Sequence, residues 1–253
     1  MIGIIGAMEV EVELLIDELE APAVIDRRGL RFFAGTLRNT EVVVVVGGIG
    51  TVNAAACAAI LLDAFEPTAV LCTGVAGGLS PALVGDVVIG SATISLGHGQ
   101  LTVEGLTPTP TEPPLQERQN PLLFSAGPNL LAAGRAVADA HEFGSLECVP
   151  DDRTPKFLTG VIATEDAYSI NGARNRRMLE TYGCVAFEME GAAIAQICHQ
   201  AGVPFLAVRA ISNPADEAGA AEGVYGRCKA ETARSAQVVV LNLLEVLPDH
   251  GTS

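Results

Sequence analysis

The sequence lacks the features that mark membrane, nucleic-acid-binding and metal-binding proteins. No apolar run reaches the roughly 18 residues that a membrane-spanning helix needs. Only 15 Lys and Arg stand against 30 Asp and Glu, and the net charge of −15 opposes binding to nucleic acid or to an anionic membrane, because both need basic patches. The four His residues share no metal-ligand spacing. We therefore predict no bound metal, no membrane and no nucleic-acid partner.

Paired cysteines and a secretory signal are also missing. The six cysteines form no CxxC pair, and at least four lie in apolar patterns, where a thiol behaves as a small core residue. The apolar N terminus is short, has no basic flank and runs directly into Glu9, Glu11 and Glu13. We therefore expect reduced cysteines, a first core strand at the N terminus and a cytoplasmic location.

The apolar residues that are present follow an α/β pattern. Short apolar runs bounded by Gly alternate with longer segments of helical period, as in a sheet that helices cover on its faces. We predict one domain over residues 1–253, because a chain of this length can bury one full core. The predicted strands are residues 2–5, 31–36, 41–46, 69–72, 86–94, 160–163, 186–188 and 204–211. The predicted helices are residues 10–20, 51–65, 128–141, 172–182, 190–202 and 224–246.

The segment 97–127 departs from this alternation. It holds five Pro and four Thr, shows little periodicity and is longer than an ordinary connection. The prolines keep residues 107–114 extended. This atypical insertion is either a lid or rim over a site or a mobile insertion of no consequence, and the sequence supports both interpretations equally.

Three predicted strands end in Gly-containing segments. A strand that ends in Gly and enters a helix often binds phosphate, but after Gly6 this chain has carboxylates instead. Glu11 either interacts favourably with the helix dipole or belongs to a site formed with the ends of other strands. The segments GGIG at 47–50 and TGVAGG at 73–78 match neither GxGxxG nor a Walker motif, so we predict no nucleotide cofactor. Each is either a tight turn or a place where the backbone approaches a flat ligand.

Two later segments predict a pocket for a sugar. In FEMEG, at 187–191, Glu188 and Glu190 alternate with a Met and share a side. Carboxylates leaving an apolar strand are costly to bury without donors, and vicinal sugar hydroxyls supply such donors. The alternative for Glu190 is to cap the next helix. RAISN, at 209–213, ends the following strand, where open α/β sheets assemble their sites.

Seven segments occur in the order GIIGAMEVE, GGIGTVNAA, TGVAGGL, VGDVV, ATEDAYSING, FEMEGAAIA and VPFLAVRAISN. In this order they resemble the nucleoside phosphorylase superfamily, most closely its 5′-methylthioadenosine/S-adenosylhomocysteine nucleosidases. The resemblance covers roughly residues 1–95 and 158–246. It implies a three-layer α/β/α fold with a mixed central sheet. It also implies a homodimer that hydrolyses the bond between ribose and purine without a cofactor.

The resemblance further implies roles for individual residues. Glu11 would hold the attacking water, with Arg209 beside it, and Glu190 would accept from the ribose 2′ and 3′ hydroxyls. Tyr168 takes the position of an aromatic that stacks on the purine, and Met189 would lie against the sugar. The other predicted substrate-binding residues are Met8, Ile49, Gly77, Phe187, Glu188 and Ser212.

Asn213 departs from the pattern of the methylthioadenosine nucleosidases. There RAIS continues with Asp, the general acid that protonates purine N7, and general acid catalysis is worth about 10² to 10⁴ in rate. An amide cannot give up that proton. In superfamily members that prefer 6-oxopurines, Asn stands in this place and hydrogen-bonds N7 and O6. Futalosine hydrolases, whose base is hypoxanthine, resemble this chain in the RAISN segment.

Three functional hypotheses follow. The first is a hydrolytic purine nucleosidase, either of the methylthioadenosine type with an altered acid or of a 6-oxopurine type such as futalosine hydrolase. The second is a phosphorylase, which is disfavoured because Glu follows the first strand where an anion site wants Arg. The third is a non-catalytic nucleoside-binding protein, which leaves Glu11, Glu190 and Arg209 unexplained.

Overall fold

The computed structural model describes residues 1–103, 105–115, 119–150, 152–168, 171–215 and 220–247. Within these ranges the strands are β1 (Ile2–Gly6), β2 (Glu20–Arg27), β3 (Leu30–Leu37), β4 (Thr40–Val46), β5 (Ala69–Gly78), β6 (Val87–Ser95), β7 (Gly99–Thr102), β8 (Gly105–Pro108), β9 (Phe124–Ser125), β10 (Phe157–Thr164), β11 (Cys184–Glu188) and β12 (Phe205–Pro214). The helices are α1 (Glu13–Asp17), α2 (Thr51–Phe65), α3 (Pro128–Ala140), α4 (Gly172–Tyr182), α5 (Gly191–Ala201) and α6 (Ala220–Val246). None of these helices has the length and apolar character that crossing a membrane requires.

The main sheet is mixed, with the strand order β11-β10-β6-β12-β5-β1-β4-β3-β2 and with β9 added beside β6. At its centre β1 runs parallel to β4 and β5, and β12 runs parallel to β5 but antiparallel to β6. A further antiparallel pairing joins β11 to β5 at Gly77 and Gly78. The sheet therefore curls back on itself at the end of β5.

Helices cover both faces of this sheet. Along β4, Val42 and Val44 pack in a cluster with α3 and α6, whereas Val43 and Val45 pack with α2 and α5. An unbroken apolar run is thus buried on both sides, as in α/β proteins with covered sheets. The predicted α/β fold class, with three layers and a mixed central sheet, is confirmed.

Each predicted strand is present, with its ends shifted by a few residues. The predicted helix over 10–20 is wrong, because a 3₁₀ turn at Glu9–Glu11 and the short α1 replace it, and β2 begins at Glu20. The sequence did not predict β2 because its residues are almost all exposed and lack an apolar alternation. It is held by pairing with β3 alone.

The Gly-rich segment at residues 73–78 is the second half of strand β5 and not a turn. Pairing with β12 on one side and with β11 on the other keeps it extended. The interpretation as a tight turn is therefore wrong at this place. The strand instead carries its backbone along the edge of the sheet where the site lies.

The segment 97–127 contains the hairpin β7–β8 and the short strand β9, while its residues 104 and 116–118 lie outside the described ranges. Thr111 Oγ1 donates to Gln196 Oε1 of α5 at 3.0 Å. The carbonyl oxygen of Gln119 lies 3.1 Å from Nε2 of His199, also on α5. These parts of the segment lie along α5, and none of its described residues lines the cavity described below.

Candidate active site

A cavity of about 610 Å³ lies where β1, β4, β5, β11 and β12 end. Because β1, β4, β5 and β12 run parallel, their carboxyl ends bring distant segments to one edge. All of the predicted site residues except Arg209 line the cavity. The lining residues are Ala7, Met8, Glu11, Ile49, Val75, Ala76, Gly77, Tyr168, Phe187, Glu188, Met189, Glu190, Ser212, Asn213 and Tyr225.

The 3₁₀ turn after β1 folds Glu11 back toward the end of the strand. Its Oε2 accepts from the backbone N–H of Ala7 at 2.8 Å and of Met8 at 3.0 Å, and its Oε1 accepts from that of Val75 at 2.9 Å. A carboxylate offers about four lone-pair sites. Three backbone donors therefore fix Glu11 and leave room for one more donor, such as a water in the cavity.

The backbone of β5 passes directly beside Glu11 and Arg209 at Gly74. A Cβ added there would collide with Glu11 Oε1 and with Arg209 Nη1. Every other residue type carries a Cβ, so only Gly leaves space for both groups. The Gly-rich sequence of β5 is thus explained by the close approach of side chains to its backbone.

Arg209 is fully buried among three carboxylates. Its Nη2 donates to Glu188 and lies 3.3 Å from Glu190 Oε2, and its Nη1 lies 3.9 Å from Glu11 Oε1. Arg209 thus sits behind the cavity wall and holds the carboxylates that face the cavity. In the described part of the chain, no group of His, Cys, Asp and Glu side chains is arranged to hold a metal ion.

The oxygens of Glu188 are occupied by protein donors. They accept from the backbone N–H of Glu190 at 3.0 Å and of Gly191 at 2.8 Å, and from Thr164 Oγ1 and Arg209. These bonds fill about all of its lone-pair sites. Glu188 therefore fixes the start of α5, a role considered above for Glu190, whose own side chain makes no capping bond.

Glu190 keeps acceptor sites toward the cavity. Its Oε1 accepts from the backbone N–H of Gly50 at 2.9 Å, and its Oε2 contacts Arg209. Burial raises the pKa of Glu190 to about 7, and the charge of Glu188 adds to the rise, whereas Arg209 opposes it. The carboxyl group therefore changes its charge near neutral pH.

Asn213 and Tyr168 form one end of the cavity. Asn213 Oδ1 accepts from Ser212 Oγ at 2.9 Å, while its Nδ2 donates to Tyr168 Oη and to the carbonyl oxygen of Pro214, each at 3.1 Å. Asn213 is buried and Tyr168 is 58% exposed. The NH₂ of Asn213 thus lies beside Tyr168 at the cavity wall, and its oxygen accepts from Ser212.

Tyr225 lines the cavity and was missed by the sequence analysis. It lies near the start of α6, away from the strand ends that predicted most of the site. An aromatic in the early turns of a helix is more often a core residue, so the local pattern gives no signal for it. Ala7, Val75 and Ala76 also line the cavity and were not predicted, although they lie in segments discussed above.

Comparisons with known proteins identify the family to which the chain belongs. A sequence model of the phosphorylase superfamily matches residues 1–246. A 5′-methylthioadenosine/S-adenosylhomocysteine nucleosidase of Shewanella pealeana is 37% identical over 218 residues, which are 85% of this chain and 86% of that protein.

Solved structures extend the comparison to the fold. A 5′-methylthioadenosine/S-adenosylhomocysteine nucleosidase from Colwellia psychrerythraea 34H, in complex with adenine, matches with a TM-score of 0.80 and 32% identity, over 97% of this chain and 95% of the other. A futalosine hydrolase of Helicobacter pylori shares the fold, with a TM-score of 0.77 and 24% identity over 96% of this chain and 97% of the other. The family model spans nearly the whole chain, and the chain therefore belongs to the phosphorylase superfamily, among the relatives of its 5′-methylthioadenosine/S-adenosylhomocysteine nucleosidases.

Proposed function

We propose that the chain is a purine nucleosidase, which hydrolyses the N-glycosidic bond between a ribose and a purine. The observation that carries this proposal is the placement of Glu11, Glu190 and Asn213 around one cavity. Glu11 offers a free acceptor site for water, Glu190 faces the cavity as an acceptor for sugar hydroxyls, and Asn213 presents a donor to the edge of a base. The bound adenine in the Colwellia relative supports a purine as the ligand.

In the proposed reaction, Glu11 takes a proton from a water molecule while the oxygen of that water forms a bond to C1′. The bond between C1′ and N9 breaks, its electron pair leaves with the purine, and the purine takes up a proton from the solvent while Glu11 returns its proton to the solvent. One nucleoside and one water thus give one free sugar and one free purine. Arg209 holds the three carboxylates in place from behind the cavity wall, and Glu188 fixes the backbone at Glu190.

A 6-oxopurine substrate, as in futalosine hydrolase, is the second candidate within this reaction class. The observation that favours it is the orientation of Asn213, whose NH₂ lies at the cavity wall and bonds to Tyr168, a partner that an incoming base can replace. Hypoxanthine presents N7 and O6 as adjacent acceptors, which suit such a donor. Adenine presents an acceptor beside a donor and suits it less well.

A phosphorylase reaction needs a site for phosphate. Among the described residues that line the cavity, none is Lys or Arg, and Glu11 faces the place where the nucleophile must enter. Phosphate would meet negative charge there, since Arg209 is already shared by three carboxylates. The geometry therefore supports water as the nucleophile.

The proposal is tested by a reducing-sugar assay on adenosine, inosine, methylthioadenosine and futalosine, with and without phosphate. We expect free sugar and free purine from at least one of them, at a rate that phosphate does not change. Formation of sugar 1-phosphate would identify a phosphorylase. Binding of nucleosides without any product would identify a non-catalytic binding protein.

The titration of Glu190 predicts a pH dependence of ribose recognition. A group with a pKa of about 7 is about one-tenth ionised at pH 6 and about nine-tenths ionised at pH 8. The ionised form accepts from the 2′ and 3′ hydroxyls more strongly. The ratio of kcat/KM for inosine to that for 2′,3′-dideoxyinosine should therefore rise several-fold from pH 6 to pH 8.

Groups whose ionisation changes kcat/KM equally for both nucleosides do not affect this ratio. In Glu190→Gln it should be lower and should not change over the same pH range. A ratio that stays flat in the wild type would show that Glu190 does not read the ribose hydroxyls.

The proposal includes a homodimer. Ile49, which lines the cavity, is 52% exposed, and Val52, in the first turn of α2, is 80% exposed. A second copy of the chain covering these apolar side chains would remove them from water.

A further inference from the structure

The hydroxyl of Tyr225 points into the cavity without a strong hydrogen-bond partner. Within the described residues its contact is the sulfur of Met8, at 3.8 Å, and a thioether is a weak acceptor. Burial raises the pKa of Tyr225, and the nearby charge of Glu11 adds to the rise. The phenol is therefore protonated at neutral pH and able to donate.

The position of Tyr225 in the cavity is set by its neighbours. Met8, which it contacts, donates its backbone N–H to Glu11. Asn213 and Tyr168 bond to each other instead and mark another part of the wall. Tyr225 thus lies on the Met8 side of Glu11.

The proposed function then fixes what part of a nucleoside meets Tyr225. The base lies at Asn213, C1′ lies at the water held by Glu11, and the 2′ and 3′ hydroxyls lie at Glu190. The part of the ribose left over is C4′ with its 5′ substituent. It falls on the remaining wall, to which Met8, Ile49 and Tyr225 belong.

We propose that Tyr225 is a specificity-determining residue that hydrogen-bonds a 5′-hydroxyl, so that the enzyme favours nucleosides with a free 5′-OH over their 5′-deoxy counterparts. This inference rests on the proposed function for the placement of the nucleoside. A 5′-hydroxyl both donates and accepts, and so replaces the weak contact with the sulfur of Met8 by a bond between two oxygens. A 5′-thioether offers only another weak acceptor.

The expected size of the preference for a 5′-hydroxyl follows from the partial burial of the Tyr225 side chain. Tyr225 is half-buried, so its bond to a 5′-hydroxyl replaces a bond to water and has a modest net effect. A net hydrogen bond of this kind is worth about five- to tenfold in binding. Tyr225→Phe removes the hydroxyl and keeps the ring against Met8.

The test compares inosine with 5′-deoxyinosine, and adenosine with 5′-deoxyadenosine, by kcat/KM and by dissociation constant. In the wild type we expect a preference for the 5′-hydroxyl of about five- to tenfold. In Tyr225→Phe the preference should fall to near one, while values for the 5′-deoxy nucleosides stay unchanged. Tyr182→Phe, at the end of α4 and outside the cavity, is the matched control and should keep the preference.

A preference that is absent in the wild type, or that survives in Tyr225→Phe, overturns the inference even when hydrolysis is observed. Conversely, if no nucleoside is hydrolysed but the dissociation constants show the preference and its loss, Tyr225 reads the 5′ group while the proposed hydrolysis fails. The two failures are thus distinguishable. Failure to bind any of the four nucleosides overturns the inference, and the proposed function is then decided by methylthioadenosine and futalosine.

Discussion

Glu11→Gln is expected to lower kcat by about 10² to 10⁴, the usual contribution of a positioned general base. The carboxylate acts on water, which the ground-state complex does not need, so the loss should fall on kcat while nucleoside binding stays close to the wild type. The measurement is steady-state kinetics together with a dissociation constant from calorimetry.

The Glu11→Gln substitution also removes hydrogen bonds that stabilise the fold, and the experiment must separate this loss of stability from the loss of catalysis. In either orientation of the Gln amide, its NH₂ faces a backbone N–H donor in place of an acceptor. These donors are the N–H of Val75 in one orientation and those of Ala7 and Met8 in the other. A thermal melt shows whether the fold is retained. Glu9→Gln removes the same charge from an exposed position in the same 3₁₀ turn and should keep its activity. Wild-type turnover in Glu11→Gln would contradict the role of Glu11.

Asn213→Asp is expected to shift the ratio of kcat/KM toward adenine nucleosides, relative to 6-oxopurine nucleosides, by about tenfold or more. Adenine gains most from an acid that delivers a proton to N7, and the amide of Asn213 cannot supply one. Hypoxanthine instead loses a donor to its edge when the amide becomes a carboxylate. The measurement is kcat/KM for methylthioadenosine, adenosine, inosine and futalosine in both proteins.

The surroundings of Asn213 allow this substitution. Ser212 Oγ already donates to Oδ1 and would continue to do so, and the bond to Tyr168 Oη survives if the phenol becomes the donor. The bond from Nδ2 to the carbonyl oxygen of Pro214 is lost in the carboxylate form. Asn39→Asp makes the same change in an exposed turn at the opposite edge of the sheet and should leave the ratio unchanged. The account of Asn213 fails if the wild type prefers methylthioadenosine strongly and Asn213→Asp keeps that preference.

The strand ends of the sheet were predictable because each is a short apolar run followed by Gly or by polar residues. Where parallel strands end is also where sites form, so Glu11, Glu190 and Asn213 were singled out before the fold was known. Their convergence follows from the parallel register of β1, β5 and β12, which brings segments that lie far apart in the sequence to one edge.

The different roles of Glu188 and Glu190 could not be predicted from the alternation of residues along the strand. Both carboxylates leave β11 within three positions, and only the geometry shows that Thr164, Gly191 and Arg209 occupy the first of them. These partners lie on β10, α5 and β12, so no local pattern contains them. Tyr225 was not predicted for a similar reason, because helix α6 reaches the cavity only through tertiary packing.

The extent of β5 was also hidden from the sequence. Gly has a low preference for strands, so residues 73–78 read as a turn. Pairing on both sides overrides that preference and brings Gly74 against Glu11 and Arg209. Tertiary context thus decided the structure where local propensity pointed elsewhere.

The central claim is that Glu11 delivers a water to C1′ as the purine leaves. Real-time proton NMR tests it on the nucleoside that the wild type cleaves fastest, in phosphate-free buffer. A single displacement by water from the face opposite the purine inverts C1′, so we predict free purine together with an initial excess of the α anomer of the sugar. An initial excess of the β anomer would mean that a carboxylate attacks C1′ itself, and the absence of free purine would mean that no hydrolysis occurs; either result would contradict the account.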